Sequence, residues 1–175
     1  MVDRGRQTDK LVFKYRGIPR WDDQGNPYSI KKPIIEVTFR RFSESRDVEN
    51  NREMRMFALI DSGADYSFIP LEIAEALRLD IDQTETKILT IAGITNAFQT
   101  KVHVEIPRKG KLAVDIGMIT AHVMPHKVGE RAPEYVILGR KDFFEKFEVT
   151  INETAQFIIL RDVHKDRVKP NKTRN

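Results

Sequence analysis

The 175-residue sequence contains no cysteine. Disulfides, thiolate metal sites and a cysteine nucleophile are therefore excluded for this chain. The same absence fits a reducing compartment, and we expect a cytoplasmic protein. No apolar run approaches the length of a membrane helix. The opening residues MVDRGRQTDK have no apolar core after their charges, so they do not read as a secretory signal. Neither a phosphate-binding loop nor a dinucleotide fingerprint is present. Gly-x-Ser-x-Gly is missing too, so no serine is placed as a hydrolase nucleophile.

An excess of one charge is also lacking over most of the chain. The formal net charge is +4, but the residues from Arg161 onward hold six Lys/Arg against two Asp. The end of the chain thus supplies the whole excess, and the body is neutral. A basic footprint for nucleic acid is not expected there. Residues 162–175 read as a basic, disordered tail. Neither nucleic acid nor a membrane is expected as a partner.

What remains, with hydrophobic residues at 40% and charged residues at 32%, has the composition of one globular domain. Residues 1–32 read as an irregular N-terminal extension, with an apolar patch at Leu11–Tyr15 and turn residues Gly17, Pro19, Gly25, Asn26 and Pro27. From Pro33 the pattern is of strands. Ile35, Val37 and Phe39 alternate with Glu36, Thr38 and Arg40. A second strand, Met54 to Ile60, runs into Asp61, and Pro70 opens a short helix over Leu71 to Leu79. Strands follow at Lys87–Ile91 and Ala97–Ile106. A turn containing Gly110 returns the chain through Leu112–Met118. Ala121–Pro133 reads as a long loop, and Tyr135–Leu138 as a buried strand ended by Gly139-Arg140. A short helix over Lys141–Lys146 and a last hairpin, Phe147–Ile151 with Gln156–Leu160, complete the pattern. Many short strands with two small helices predict a mostly β domain, barrel or sandwich-like, over residues 33–161.

The chemistry gathers at Leu59-Ile60-Asp61-Ser62-Gly63-Ala64-Asp65. An aspartate at the end of an apolar strand is out of place by propensity, and burial would disfavour its charged form. Gly63 permits a sharp turn that presents the carboxylate. The plainer reading is an Asx-type turn closing a strand, which Asp-Ser-Gly serves well. His122 and His126 stand at a metal-like spacing, but Pro125 breaks any helix between them and no glutamate follows suitably. They read as surface-loop residues.

Three elements in order resemble the retropepsin-like aspartic proteases: the retroviral proteases and the protease domain of DNA-damage-inducible ubiquitin-shuttle proteins. The first is Leu59 to Asp65, followed by Phe68-Ile69 and a short helix. The second is a flap hairpin with a small-residue tip, Thr90-Ile91-Ala92-Gly93-Ile94-Thr95. The third is Ile137-Leu138-Gly139-Arg140 before a short helix. The resemblance covers about Ile34 to Leu160. Gly93 is the flap's one glycine where viral relatives usually have several, and Asp142 stands where they often show Asn.

This resemblance implies a closed β-barrel with two short helices and an aspartic endopeptidase. Asp61 would meet its copy across a homodimer, and the two carboxylates would share one proton, because like charges so close cannot both ionise. Ser62 and Gly63 would shape the catalytic loop. Asp65 would pair with Arg140 and grip substrate backbone beside Ala64. Gly93 would let the flap close, with Ile91 and Ile94 lining subsites. No metal or cofactor is required, and the partners are a peptide or protein substrate and a second copy. A further hypothesis lays the N-terminal segment in the cleft as a removable inhibitor. The alternative function is a non-catalytic domain of the same fold that binds a peptide or partner.

Overall fold

Apolar and polar side chains in alternation need a sheet with one buried face, and a small domain hides that face most completely by curling the sheet on itself. A computed structural model describes residues 10–41, 52–90, 93–124 and 135–163. In chain order the elements are β1 (Lys10–Lys14), β2 (Arg16–Trp21), β3 (Pro27–Lys32), β4 (Ile34–Arg40), β5 (Glu53–Ile60) and β6 (Ser67–Pro70). Then come α1 (Leu71–Ala76), β7 (Ile81–Thr90), β8 (Gly93–Ile106), β9 (Val114–Met124) and β10 (Val136–Leu138). The chain continues through a kinked helical turn, α2 (Arg140–Phe144), to β11 (Phe147–Asn152) and β12 (Phe157–Asp162).

Seven strands form one sheet in the order β4-β5-β10-β6-β9-β8-β7. An added pairing of β4 with β8 closes six of them into a ring and leaves β7 on its outside. This is the mostly β architecture with two short helices that the sequence pattern predicts, closed as the resemblance implies. Inside lie Phe39, Ile60, Ile69, Val102, Ile119 and Leu138, each at most 2% exposed. Full burial of one such side chain contributes roughly 1.5–3 kcal/mol. The interior therefore fixes the strand ends that carry polar residues.

Two pairings place those ends. β10 runs parallel to β5, with Leu138 opposite Ile60, and its Ile137 faces Phe68 of β6. The segment after Ile60 and the segment after Leu138 therefore leave the sheet side by side. The hairpins expected at 97–118 and 147–160 are present as β8–β9 and β11–β12, and Gly110 in the first turn has φ +67°.

Several expectations need correction. The segment before Pro33 is not irregular where described: β1 pairs antiparallel with β12, and β2 with β3. Leu11 and Tyr15 are buried in the core, Tyr15 N–H donates to Gln156 O (2.8 Å) and its hydroxyl donates to Glu153 Oε1 (2.8 Å). Lys10–Tyr15 is thus part of the sheet that holds the last hairpin, not a strand lying in a cleft. Its partner lies about 150 residues downstream, a separation that local pattern cannot bridge. The supposed loop from Ala121 begins as strand, since β9 continues to Met124. Helix α1 stops at Ala76, and Arg78 adopts φ 53°. The helix expected over Lys141–Lys146 is interrupted: Lys141 is extended and Asp142 has φ 69°.

Candidate active site

Asp61 follows the last residue of a strand whose Ala58 and Ile60 are buried in the core, so its own position is inherited from the core. Its N–H donates to Leu138 O (3.1 Å), and its carbonyl accepts from Ala64 N–H (3.3 Å). Its carboxylate Oδ1 accepts from Gly63 N–H at 2.9 Å. The Asx-type turn is therefore real, and it orients the carboxylate rather than consuming it, because a second oxygen remains. Asp61 is half-buried, while Ser62 and Gly63 are exposed. A Cβ on Gly63 would stand 3.2 Å from Asp61 Oδ1, tight against the oxygen this turn holds.

The loop is stitched to the start of α2 by main chain. Arg140 N–H donates to Ala64 O (2.8 Å), and Lys141 N–H donates to Asp65 O (2.9 Å). These two bonds use amides that a helix start leaves without an intrahelical partner, and they tie that start to the Asp61 loop. Arg140 and Asp65 also form the ion pair expected of them, Nη1 to Oδ1 at 3.6 Å. Both side chains are mostly exposed, so the pair itself stabilises by at most ~1 kcal/mol. The backbone bonds hold the loop, and the charged groups stay accessible.

Gly139 has a reason that motif matching does not supply. A Cβ there would lie 2.2 Å from Tyr66 O and 2.8 Å from Ala64 O. Only a residue without a side chain lets the two segments touch. Its N–H donates to the buried Ser67 Oγ (3.2 Å). Asp142 completes the anchoring: Oδ2 accepts from Thr120 N–H of β9 at 2.9 Å. That bond secures a side chain whose backbone, at φ 69° and ψ −49°, is strained for a non-glycine residue.

His122 is the residue most at odds with expectation. It is 2% exposed, not on a surface loop. Its ring lies against Tyr66 (4.6 Å between centroids) and Phe68 (5.8 Å). Nε2 meets Gln99 Nε2 at 3.3 Å, and Nδ1 has no partner. Burial, helped by the nearby Lys141 ammonium, holds its pKa below the ordinary imidazole value. Strand alternation would not have revealed it, since Ala121, His122 and Val123 are buried in succession, and its pairing with Phe68 joins strands distant in the chain. His126 lies outside the described residues. Among the described residues no group of three His, Cys, Asp or Glu could hold a metal ion. No described helix is long and apolar enough to cross a membrane.

The hairpin β7–β8 carries the other predicted residues. Thr90 pairs with Gly93 and Leu89 with Ile94. Gly93 has φ +109°, a conformation that favours glycine. Leu89 is 82% exposed and Ile94 73%. Ile91 lies outside the described residues.

No family model matches the sequence, and no curated protein matches it. Among solved structures, the chain is similar to a retropepsin-like aspartic protease from Rickettsia conorii. Identity is 19%, over 86% of this chain and 98% of that one, with a TM-score of 0.49. It is also similar to the EIAV protease complexed with the inhibitor HBY-793, at 20% identity over 66% of this chain and 88% of that one, with a TM-score of 0.40. Both are proteases of the family that the three sequence elements resemble. Likeness at these levels says nothing of activity, which rests on the residues themselves.

Proposed function

We propose that this chain is an aspartic-type endopeptidase that works as a two-fold homodimer. The carrying observation is the Asp61 loop: a half-buried carboxylate oriented by Gly63 N–H and fixed through its own amide to Leu138. Among the described residues this Asp-Ser-Gly loop occurs once, so a carboxylate pair requires a second copy. With two Asp61 side chains sharing one proton, the ionised member accepts a proton from a water. That water attacks the peptide carbonyl, and the protonated member donates to the carbonyl oxygen. The gem-diol then collapses, releasing an amine and a carboxylic acid. Asp65 and Arg140 contact the backbone of an extended peptide in this reading, which their exposure beside Ala64 supports. The β7–β8 hairpin, with Leu89 and Ile94 bare, covers that peptide from above and excludes water.

The deciding experiment compares the native chain with Asp61→Asn on a peptide library at acidic and neutral pH. Native protein should cut, and the variant should lose roughly 10²–10⁴-fold in rate. Cleavage that survives the substitution ends the dyad mechanism. A folded dimer that cuts nothing favours the non-catalytic peptide-binding domain.

A further inference from the structure

A row of side chains crosses the sheet on the face turned away from its interior, starting at Leu59, two residues before Asp61. Register sets Leu59 beside Ile137, Ile137 beside Phe68, Phe68 beside His122 and His122 beside Gln99. Register partners on neighbouring strands share a face. Their chain neighbours Ile60, Leu138 and Ile69 are buried inside. The row is apolar for its first three members and polar for its last two. At ~4.8 Å per strand, His122 lies about 14 Å from Leu59, well removed from the reacting carboxylate.

Tyr66 and Lys141 stand where the row changes character. The Tyr66 ring is partly exposed and lies 4.6 Å from the His122 ring. Lys141 Nζ stands 5.6 Å from the centre of the Tyr66 ring, a cation–π contact. The main chain of Lys141 is fixed by its bond to Asp65 O, which brings the ammonium to the edge of the Asp61 loop.

Donors outnumber acceptors at this corner. Gln99 meets His122 Nε2 through its amide nitrogen, which only donates. Nε2 therefore accepts, and the proton of the neutral ring sits on Nδ1, a buried donor without a partner. Burial and the Lys141 charge keep the ring neutral. The nearest carboxylates are engaged: Asp65 with Arg140, and Asp142 with Thr120 N–H. Among the described residues no carboxylate pairs with Lys141, and nothing accepts from the Tyr66 hydroxyl. A free ammonium beside a free phenol suits an anion, and a peptide supplies one as a Glu or Asp side chain. We propose that Tyr66 and Lys141, standing over His122, form a subsite that selects an acidic side chain of the peptide, away from the scissile bond. The proposal rests on the peptide-cleaving homodimer given above and names what that site would choose. Two-fold symmetry repeats the subsite, so acid should be favoured at two positions equidistant from the cut bond.

Two readings on one peptide library test it. The native chain is assayed for cleavage by mass spectrometry, and Asp61→Asn for binding to the same peptides on an array. Both should show Glu and Asp enriched at those positions. Replacing that Glu by Gln in a cut peptide should lower kcat/KM roughly 5- to 20-fold. Lys141→Met should erase the difference, and Lys141→Glu should turn the preference to Lys and Arg. Cleavage without acid preference, or a preference that survives Lys141→Glu, overturns the subsite and leaves the peptidase reading standing. So does a Lys141→Met variant that slows Glu and Gln peptides alike, which would make Lys141 a structural group. Acid-selective binding that depends on Lys141, with no cleavage, upholds the subsite and removes only the peptidase reading. A chain that neither cuts nor binds any peptide overturns both.

Discussion

The floor and the flap of the candidate site are built by opposite means. Around Asp61, main-chain bonds from Leu138, Arg140 and Lys141 meet a glycine contact too close for any side chain. The paired ends of β5 and β10, with Ala58, Ile60, Val136 and Leu138 buried, stand directly behind them. The β7–β8 hairpin has β7 at the edge of the sheet, a register shift between Asp82 and Thr86, and two bare apolar side chains near its end. The floor is finished within one chain because its bonds are internal. The flap's apolar surface is left for something outside the chain to cover. Substitutions in the floor should therefore cost stability, whereas those in the flap should cost binding alone.

Gly139→Ala should have the largest effect. The new methyl would overlap the Tyr66 carbonyl, which is backbone and can move only by parting the Asp61 loop from α2. We expect a loss of at least ~3 kcal/mol, or failure to fold, read by thermal melting. A variant that melts like the native protein would mean the two segments are not held together as described. Asp142→Ala should come next, at roughly 2–3 kcal/mol. It strands the Thr120 N–H and leaves a non-glycine residue at φ 69°. Asp142→Gly relieves the backbone and loses only the acceptor, so it should fall between Ala and native. If Gly is no better than Ala, strain contributes nothing there.

Much of the floor was legible in the sequence, and the reason is local. Alternation in Ile35–Phe39, the apolar run into Asp61 and the run into Gly139-Arg140 each express one strand and its end, and all are strands or strand ends in the structure. What escaped depends on distant partners. Leu11–Tyr15 looked like an isolated patch because β12, which turns it into a strand, lies at the other end of the chain. His122 looked like a loop residue because Pro125 follows closely, yet β6 and β8 flank it and bury it. Gly139 was visible as a motif, but its purpose, contact with Tyr66 and Ala64, appears only once β10 lies beside β5.

Titration sharpens the contrast at intermediate cost. His122 lies directly beneath Tyr66 of the floor, and its depressed pKa means that the folded state resists protonation. Below pH 6.5, the ordinary imidazole value, the unfolded chain binds the proton first. Stability present above that pH should drain away as the pH falls towards the folded-state value. His122→Phe should flatten this acid limb in melting curves. An unchanged limb would assign the loss to other groups. On the alkaline side, burial and the bond to Glu153 push the Tyr15 phenol up to about 12. Its contribution is intact below pH 10, the ordinary phenol value, and lost as the pH climbs from there towards 12. Tyr15→Phe should remove that limb. Flap variants should leave both limbs untouched.

Leu89→Ser/Ile94→Ser should perturb the fold least of all. Both side chains are already mostly in water, so melting should stay within ~0.5 kcal/mol of native. On the proposed function, their value emerges only when a peptide lies beneath the hairpin and buries them. Each then contributes up to ~1.5–3 kcal/mol of apolar contact. The double variant should raise KM by about tenfold or more while kcat moves little, the pattern of lost uniform binding. A drop in melting temperature with KM unchanged would reverse the assignment. Leu89 and Ile94 would then be packing groups of the free chain, and the floor and flap would no longer differ in kind.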